Sequence, residues 1–455
     1  MKGGIYLAIA SILHLECAAQ IIHKSLFSTI ALELSSAEHI GTEANGAKHD
    51  LHVFREASSS LTSSTGTVKG HRLLSTDTHE LVFVVEQKNM VELTQILHDV
   101  SDPTSSNYGN HLTRQEVIDL TSNPHSHDEV VAYLTDAGAT VIEEQLSVGL
   151  ITARGEIGLW ERMLNTEFYS YSLAIDGHVR NSQLHVKKFM RTDRYFVPSC
   201  LDEHIASILN AIDVPHVESG RTSLSSSNSA LAAKSSHFSE TSRLYDGYIT
   251  PQLINNAYNI DDNTGHPRAT QAAYAGFGNF FSPEDLREYQ MFFEFPIQPV
   301  NQSFGSRSME WCTNSGNNSC SQGNMDIQLM TSIADTPTIF YYTSLGTIAL
   351  YLEHLVSITA LPPLVISISY GIAESLVTAA EMDLFNVNAI ILGTMGTTIV
   401  TAAGDDGVSS WLAQMDAAKC GYDPRYPASS PYVVSTGGTQ VRPRIINCNN
   451  SIKKR

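Results

Sequence analysis

Gln322 and Asp326 stand four residues apart, and Asp405 and Asp406 lie side by side between two glycines. A four-residue spacing puts two side chains on one face of a helix, one turn apart. A Gly-Asp-Asp-Gly run after an apolar stretch sets its carboxyls on a turn. Carboxyl groups suit proton transfer in acid. With a pKa near ~4 they remain bases where histidine, near ~6.5, is mostly protonated. Each residue also has a plain structural reading. Asp326 is then a polar helix residue, residues 404–407 a surface turn, and Ser369-Tyr370-Gly371 a strand end with a glycine turn. Two chemistries drop out: no His/Cys spacing makes a zinc site, and Gly276-Phe-Gly278 lacks the third glycine of a dinucleotide fingerprint.

The segment carrying these residues alternates short apolar runs with helical patterns. Strands are expected at 271–276, 338–343, 364–369 and 398–402. Helices are expected from Ser282-Pro283 onward, at 326–334, near 348–358 and over 375–392. Apolar strands separated by helices argue for a parallel, doubly wound α/β sheet. In such sheets the active residues gather at the carboxyl ends of the strands. Ser369-Tyr370-Gly371 and Gly404-Asp405 both fall there.

Upstream the pattern differs. Met1-Lys2 and the apolar residues 5–15 read as a signal peptide over 1–19, with cleavage after Ala19. Residues 20–75 read as a poorly ordered lead-in. Residues 76–215 read as one α+β unit, with strands at 79–86, 140–144, 149–153 and 167–172. Asn89 with Glu92 and Thr113 with Glu116 look like capping boxes. The β-α-α-β-β-α-β order suggests a ferredoxin-like antiparallel sheet with its helices on one face. Residues 216–245 are a Ser-rich linker, open to proteolysis on physical grounds, and 246–455 form the α/β core.

The 455 residues carry a net charge of −19 and 18 histidines. That charge argues against a nucleic-acid partner. No segment beyond the signal offers the ~18 apolar residues that a membrane span needs. Losing Cys17 with the signal leaves Cys200, Cys312, Cys320, Cys420 and Cys448. Cys312 and Cys320 flank a loop and are candidates for a disulfide, and an odd thiol remains. Asn301, Asn317 and Asn449 begin glycosylation acceptor triplets. An acidic compartment, secreted or lysosome- or vacuole-like, is the expected location.

Four motifs taken together resemble one family. They are Gln322-Gly-Asn-Met-Asp326, Ile366-Ser-Ile-Ser-Tyr370-Gly371, Ala402-Ala-Gly-Asp405-Asp-Gly407 and Pro427-Ala-Ser-Ser-Pro431 running on to Gly437-Gly438. They resemble the sedolisins, serine-carboxyl peptidases of the tripeptidyl peptidase and kumamolisin type. The stretch from Val100-Ser-Asp-Pro to Tyr108-Gly109-Asn-His-Leu112-Thr113 is similar to their activation prodomain. The resemblance implies a subtilisin-like core, peptide or protein substrates, and a serine activated by a glutamate with an aspartate partner. By that resemblance Asp326 is the partner, Asp405 the oxyanion-stabilising acid, and Ser369-Tyr370-Gly371 the segment whose backbone lines the substrate cleft.

Two departures stand out. Gln322 occupies the glutamate position, and an amide cannot accept the serine proton. Losing a general base costs on the order of 10²–10⁴ in rate. No Gly-Thr-Ser nucleophile tripeptide occurs in the sequence; the expectation places it, and the family's calcium site, beyond residue 455. The core is therefore expected to be C-terminally incomplete and the chain hydrolytically silent, with no cofactor assigned. The alternative is a non-catalytic relative that binds peptides or peptidases.

Overall fold

The computed structural model describes residues 52–57, 67–175, 185–214, 249–266, 269–276, 279–305, 312, 320–342, 348–358, 362–409 and 421–439. The expected signal peptide and the 216–245 linker lie outside them.

The core is a six-stranded sheet. In chain order its strands are β10 (Gln271–Ala275), β11 (Gln302–Phe304), β12 (Thr338–Tyr342), β13 (Val365–Ile368), β15 (Thr398–Ala402) and β17 (Val434–Thr436). They lie in the order β11-β12-β10-β13-β15-β17, and every pair is parallel. The chain runs outward from β10 to one side, returns, and continues on the other side. β10 is thus the point where the winding reverses, and crevices for ligands form beside such a strand. All five residues of β10 are buried, as a central parallel strand covered on both faces requires.

The N-terminal unit is built on β3 (Thr78–Val85), β4 (Thr140–Gln145), β5 (Leu150–Glu156) and β9 (Ile205–Leu209), antiparallel throughout in the order β4-β5-β3-β9. The fourth strand differs from expectation. Tyr169–Ile175, β6, leaves this sheet and pairs with β2 (Thr67–Arg72) and β7 (His185–Arg191). Its Tyr-Ser-Tyr-Ser alternation suits a sheet with one polar face. Ile-Ala-Ser-Ile-Leu of β9 is almost wholly buried and completes the main sheet instead. Residues 52–57 form β1, paired with β8 (Arg194–Pro198). Strands therefore begin well before residue 76, inside the stretch expected to be irregular, because long-range partners supply the pairing that local sequence does not announce.

Capping follows the sequence at one place and not another. Thr113 and Glu116 form the reciprocal box that starts helix Arg114–Thr121. Asn89 instead takes a left-handed conformation (φ 54°) with no side-chain cap, and its Nδ2 donates to the Leu120 carbonyl. The helix Met90–Ser101 that it precedes buries Leu93 and Val100.

Both faces of the N-terminal sheet are covered, rather than one. Leu81, Phe83 and Val85 pack with Val130 and Leu134 of helix Pro124–Asp136 and with Trp160 of helix Ile157–Met163. The alternate residues Val82 and Val84 join the cluster of the core, with Leu93 and with Leu384 and Phe385 of helix Ala379–Thr394. Period-two alternation sends neighbouring residues to opposite faces, so the second face would lie in water without the core. Helix Ala379–Thr394 is buried nearly all round, as expected of a helix held between two layers. The N-terminal unit also satisfies both of its ends. Glu56 Oε1 accepts from the Ala379 N–H at 3.0 Å, and the Leu112 N–H donates to the Thr394 carbonyl at 2.9 Å. These are among the groups that a helix leaves without internal partners. A Cβ on Gly393 would sit 2.6 Å from Leu97 Cδ1, so the two helices meet almost backbone to side chain.

Candidate active site

Gln322 and Asp326 lie on helix Ser321–Ile333, whose start is tied down covalently and by packing. Cys312 and Cys320 form the disulfide immediately before it. Gly323 faces the preceding segment so closely that a Cβ would lie 2.2 Å from the Phe280 carbonyl oxygen. Asn324 locks the same contact: its Oδ1 accepts from the Ser282 N–H at 2.7 Å and its Nδ2 donates to Asp285 Oδ2 at 2.7 Å. Ile327 is buried on the side toward the sheet. The helix is thereby held in one rotation, and Gln322 and Asp326 share a face one turn apart.

That face meets the end of β13. Gln322 Nε2 donates to Asp326 Oδ1 at 2.8 Å, and Ser369 Oγ donates to the same oxygen at 2.9 Å. Ser369 directly follows β13, the neighbour of β10. The contact therefore sits at the carboxyl edge of the sheet, beside the strand where the winding reverses. Burial pushes the Asp326 carboxyl up to about 6, against the pull of its two hydrogen bonds from Ser369 and Gln322. In this trio the amide and the hydroxyl do not ionise, so Asp326 alone changes charge in acid.

The other two members of the predicted cleft segment have structural tasks. Tyr370 is fully buried, its ring edge-on to Tyr274 at 5.8 Å, so only its backbone can face a cleft. Gly371 precedes β14 (Ile372–Ala373), which pairs with β16 (Arg425–Tyr426). A Cβ there would lie 2.6 Å from the Tyr426 carbonyl oxygen.

Asp405 follows β15, the strand beside β13. It is exposed, on a turn where Gly404 takes φ 92°. Asp405 and Asp406 do not share one environment. Asp406 is turned toward Arg425, its Oδ2 3.9 Å from the guanidinium Nη1. Asp326, Gln322 and Ser369 are thus joined by hydrogen bonds, while Asp405 stands on the adjacent strand end.

Sequence reasoning missed Arg425. Its stem lies against both glycine segments: a Cβ on Gly404 would meet its Cδ at 2.6 Å, and one on Gly371 would meet its Cγ at 2.8 Å. A signal was available, because Arg425 is the one lysine or arginine among the described residues from 321 to 439. Among the described residues no group of three His, Cys, Asp or Glu could hold a metal ion. No helix among them is long and apolar enough to cross a membrane. Asn301 is exposed, with its Oδ1 accepting from the Thr338 N–H; Asn317 and Asn449 lie outside the described residues.

Residues 65–213 match the family described as pro-kumamolisin, activation domain. The chain is 26% identical over 387 residues to the tripeptidyl-peptidase SED2 of Arthroderma otae, covering 78% of this chain and 62% of that protein. It is 25% identical over 384 residues to physarolisin of Physarum polycephalum, covering 80% and 61%. The chain is similar to the sedolisins. It spans about three-fifths of the length of these two relatives. Among solved structures, a Pseudomonas sedolisin complexed with pseudo-iodotyrostatin aligns at 16% identity and a TM-score of 0.33, over 43% of this chain and 55% of that one. The activation-domain match begins at residue 65, just before β2 and ahead of the expected boundary at 76.

Proposed function

We propose that this chain is a precursor-type acid serine peptidase of the sedolisin kind, with a ferredoxin-like activation unit ahead of a subtilisin-like core, and that the polypeptide of 455 residues does not hydrolyse peptides. The observation that carries this reading is the contact of Gln322, Asp326 and Ser369 at the carboxyl edge of the sheet. It supports a substrate-handling site, because two motifs far apart in sequence meet there. It also supports silence, because the side chain one turn from Asp326 is an amide. On this reading Asp326 is the inherited partner of an absent base, Asp405 the acid that would face a developing oxyanion, and the 369–371 backbone the rail for an extended peptide. Proteolysis of peptide substrates, in a secreted or lysosome-like acidic compartment, is the activity of the type. A non-catalytic peptide binder is the second reading, favoured by the same amide.

The test is a hydrolysis assay of the purified chain on peptide libraries between pH 3 and 8, beside its Gln322→Glu and Asp405→Ala variants. No cleavage is expected from the parent chain. Cleavage that survives purification and disappears in Asp405→Ala would overturn the claim of silence.

A further inference from the structure

Residues 423–426 form a strap across the two strand ends described above. The Asp423 N–H donates to the Val408 carbonyl at 2.7 Å, and the Pro424 carbonyl accepts from the Glu374 N–H at 2.9 Å. The Asp423 carboxylate takes the Ser375 N–H and hydroxyl, both at 3.1 Å. β14 and β16 add their short antiparallel pairing. The strap thus binds the segment after β13 to the turn after β15, and Arg425 is the side chain it lays between them.

Three features of that side chain point beyond a structural role. Its aliphatic stem is pinned over Gly371 and Gly404, neither of which has room for a Cβ. About a fifth of the side chain is exposed, and its contact with Asp406 at 3.9 Å is too long for a hydrogen bond. It is also the one lysine or arginine among the described residues from 321 to 439, in a stretch that carries Asp326, Glu374, Asp405, Asp406 and Asp423. A guanidinium offers five donors in a planar fork suited to a carboxylate. The loose ion pair with Asp406 leaves that fork open to a better-placed acceptor.

We propose that Arg425 reads a carboxylate on the peptide held at the 369–371 segment, exchanging its contact with Asp406 for a forked one with the ligand. The inference rests on the reading of that segment as a peptide rail. A carboxylate comes to such a site from an Asp or Glu side chain or from the peptide's own C-terminus.

Fluorescence anisotropy with labelled eight-residue peptides separates these sources. The probes are a neutral amidated peptide, the same peptide with one glutamate, and the neutral peptide with a free C-terminus, each titrated with the whole chain. At least one carboxylate probe is expected to bind roughly tenfold more tightly than the neutral amide, a gain typical of one charge-assisted pair, and to lose that gain in 0.5 M salt. Arg425→Gln should erase the gain without weakening the neutral probe, and Arg425→Lys should restore part of it. Asp406→Asn should increase it. Equal binding of all three probes, or equal weakening of all three by Arg425→Gln, overturns the role of Arg425 while leaving the rail standing. Failure of every probe to bind removes the rail and this inference together.

Discussion

Asp326 and Asp405 are the same residue type at the same edge of one sheet, and their surroundings are opposite. Asp326 comes from a helix locked by a disulfide, a glycine and an asparagine, and it receives two hydrogen bonds on one oxygen. Asp405 stands exposed on a turn that a positive-φ glycine and a neighbouring ion pair hold in place. Position in the fold is shared, while solvation is not. Among the described residues the difference makes Asp326 a group whose charge is opposed by its site, and Asp405 a group presented to solvent.

The largest effect is expected at the support of Asp326. Gly323→Ala sets a methyl 2.2 Å from a backbone oxygen, an obstacle that no side-chain rotation removes. A loss of about 3 kcal/mol or more is expected, in the range of severe overpacking, read as a drop in urea midpoint. Gly323→Ala with an unchanged midpoint would show that the helix is not held as described.

Asp326→Asn sharpens the contrast through pH. The carboxyl sits above its unfolded value, so its contribution is fully present below about pH 4 and is lost as pH rises through about 6. Asparagine keeps an acceptor for Gln322 and Ser369 but carries no charge. The variant should match the parent at pH 4 and exceed it at pH 7 by up to about 3 kcal/mol. Urea melts at the two values measure this directly, and a variant less stable at pH 7 would contradict it. The smallest effect is expected at the other carboxyl: Asp405→Asn should change stability by no more than about 0.5 kcal/mol, as exposed positions do. A larger shift in its urea midpoint would mean that Asp405 is not the solvated partner in this pair.

Much was legible from local pattern. The parallel strands, the helix starts at Ser282-Pro283 and Thr113, and the pairing of Cys312 with Cys320 all follow from short-range chemistry: apolar periodicity, caps and loop length. The four-residue spacing by itself puts Gln322 and Asp326 on one helix face. Three long-range features did not follow. β9 replaced β6 as the fourth strand of the N-terminal sheet, β1 and β2 formed where an irregular lead-in was expected, and Arg425 arrived between Gly371 and Gly404. Each depends on residues more than a hundred positions apart or on a two-residue strand too short to show a period.

Residue types alone therefore determined which groups this chain can use: an amide where a base would ionise, two carboxyls near strand ends, and no Gly-Thr-Ser within its 455 residues. Tertiary structure decided which of those groups meet water and which meet each other. Ionisation and hydrogen bonding depend on solvation and on distances of a few ångström. The sequence sets the covalent neighbours of Asp326, but the fold brings Ser369 to its carboxylate and leaves Asp405 in solvent.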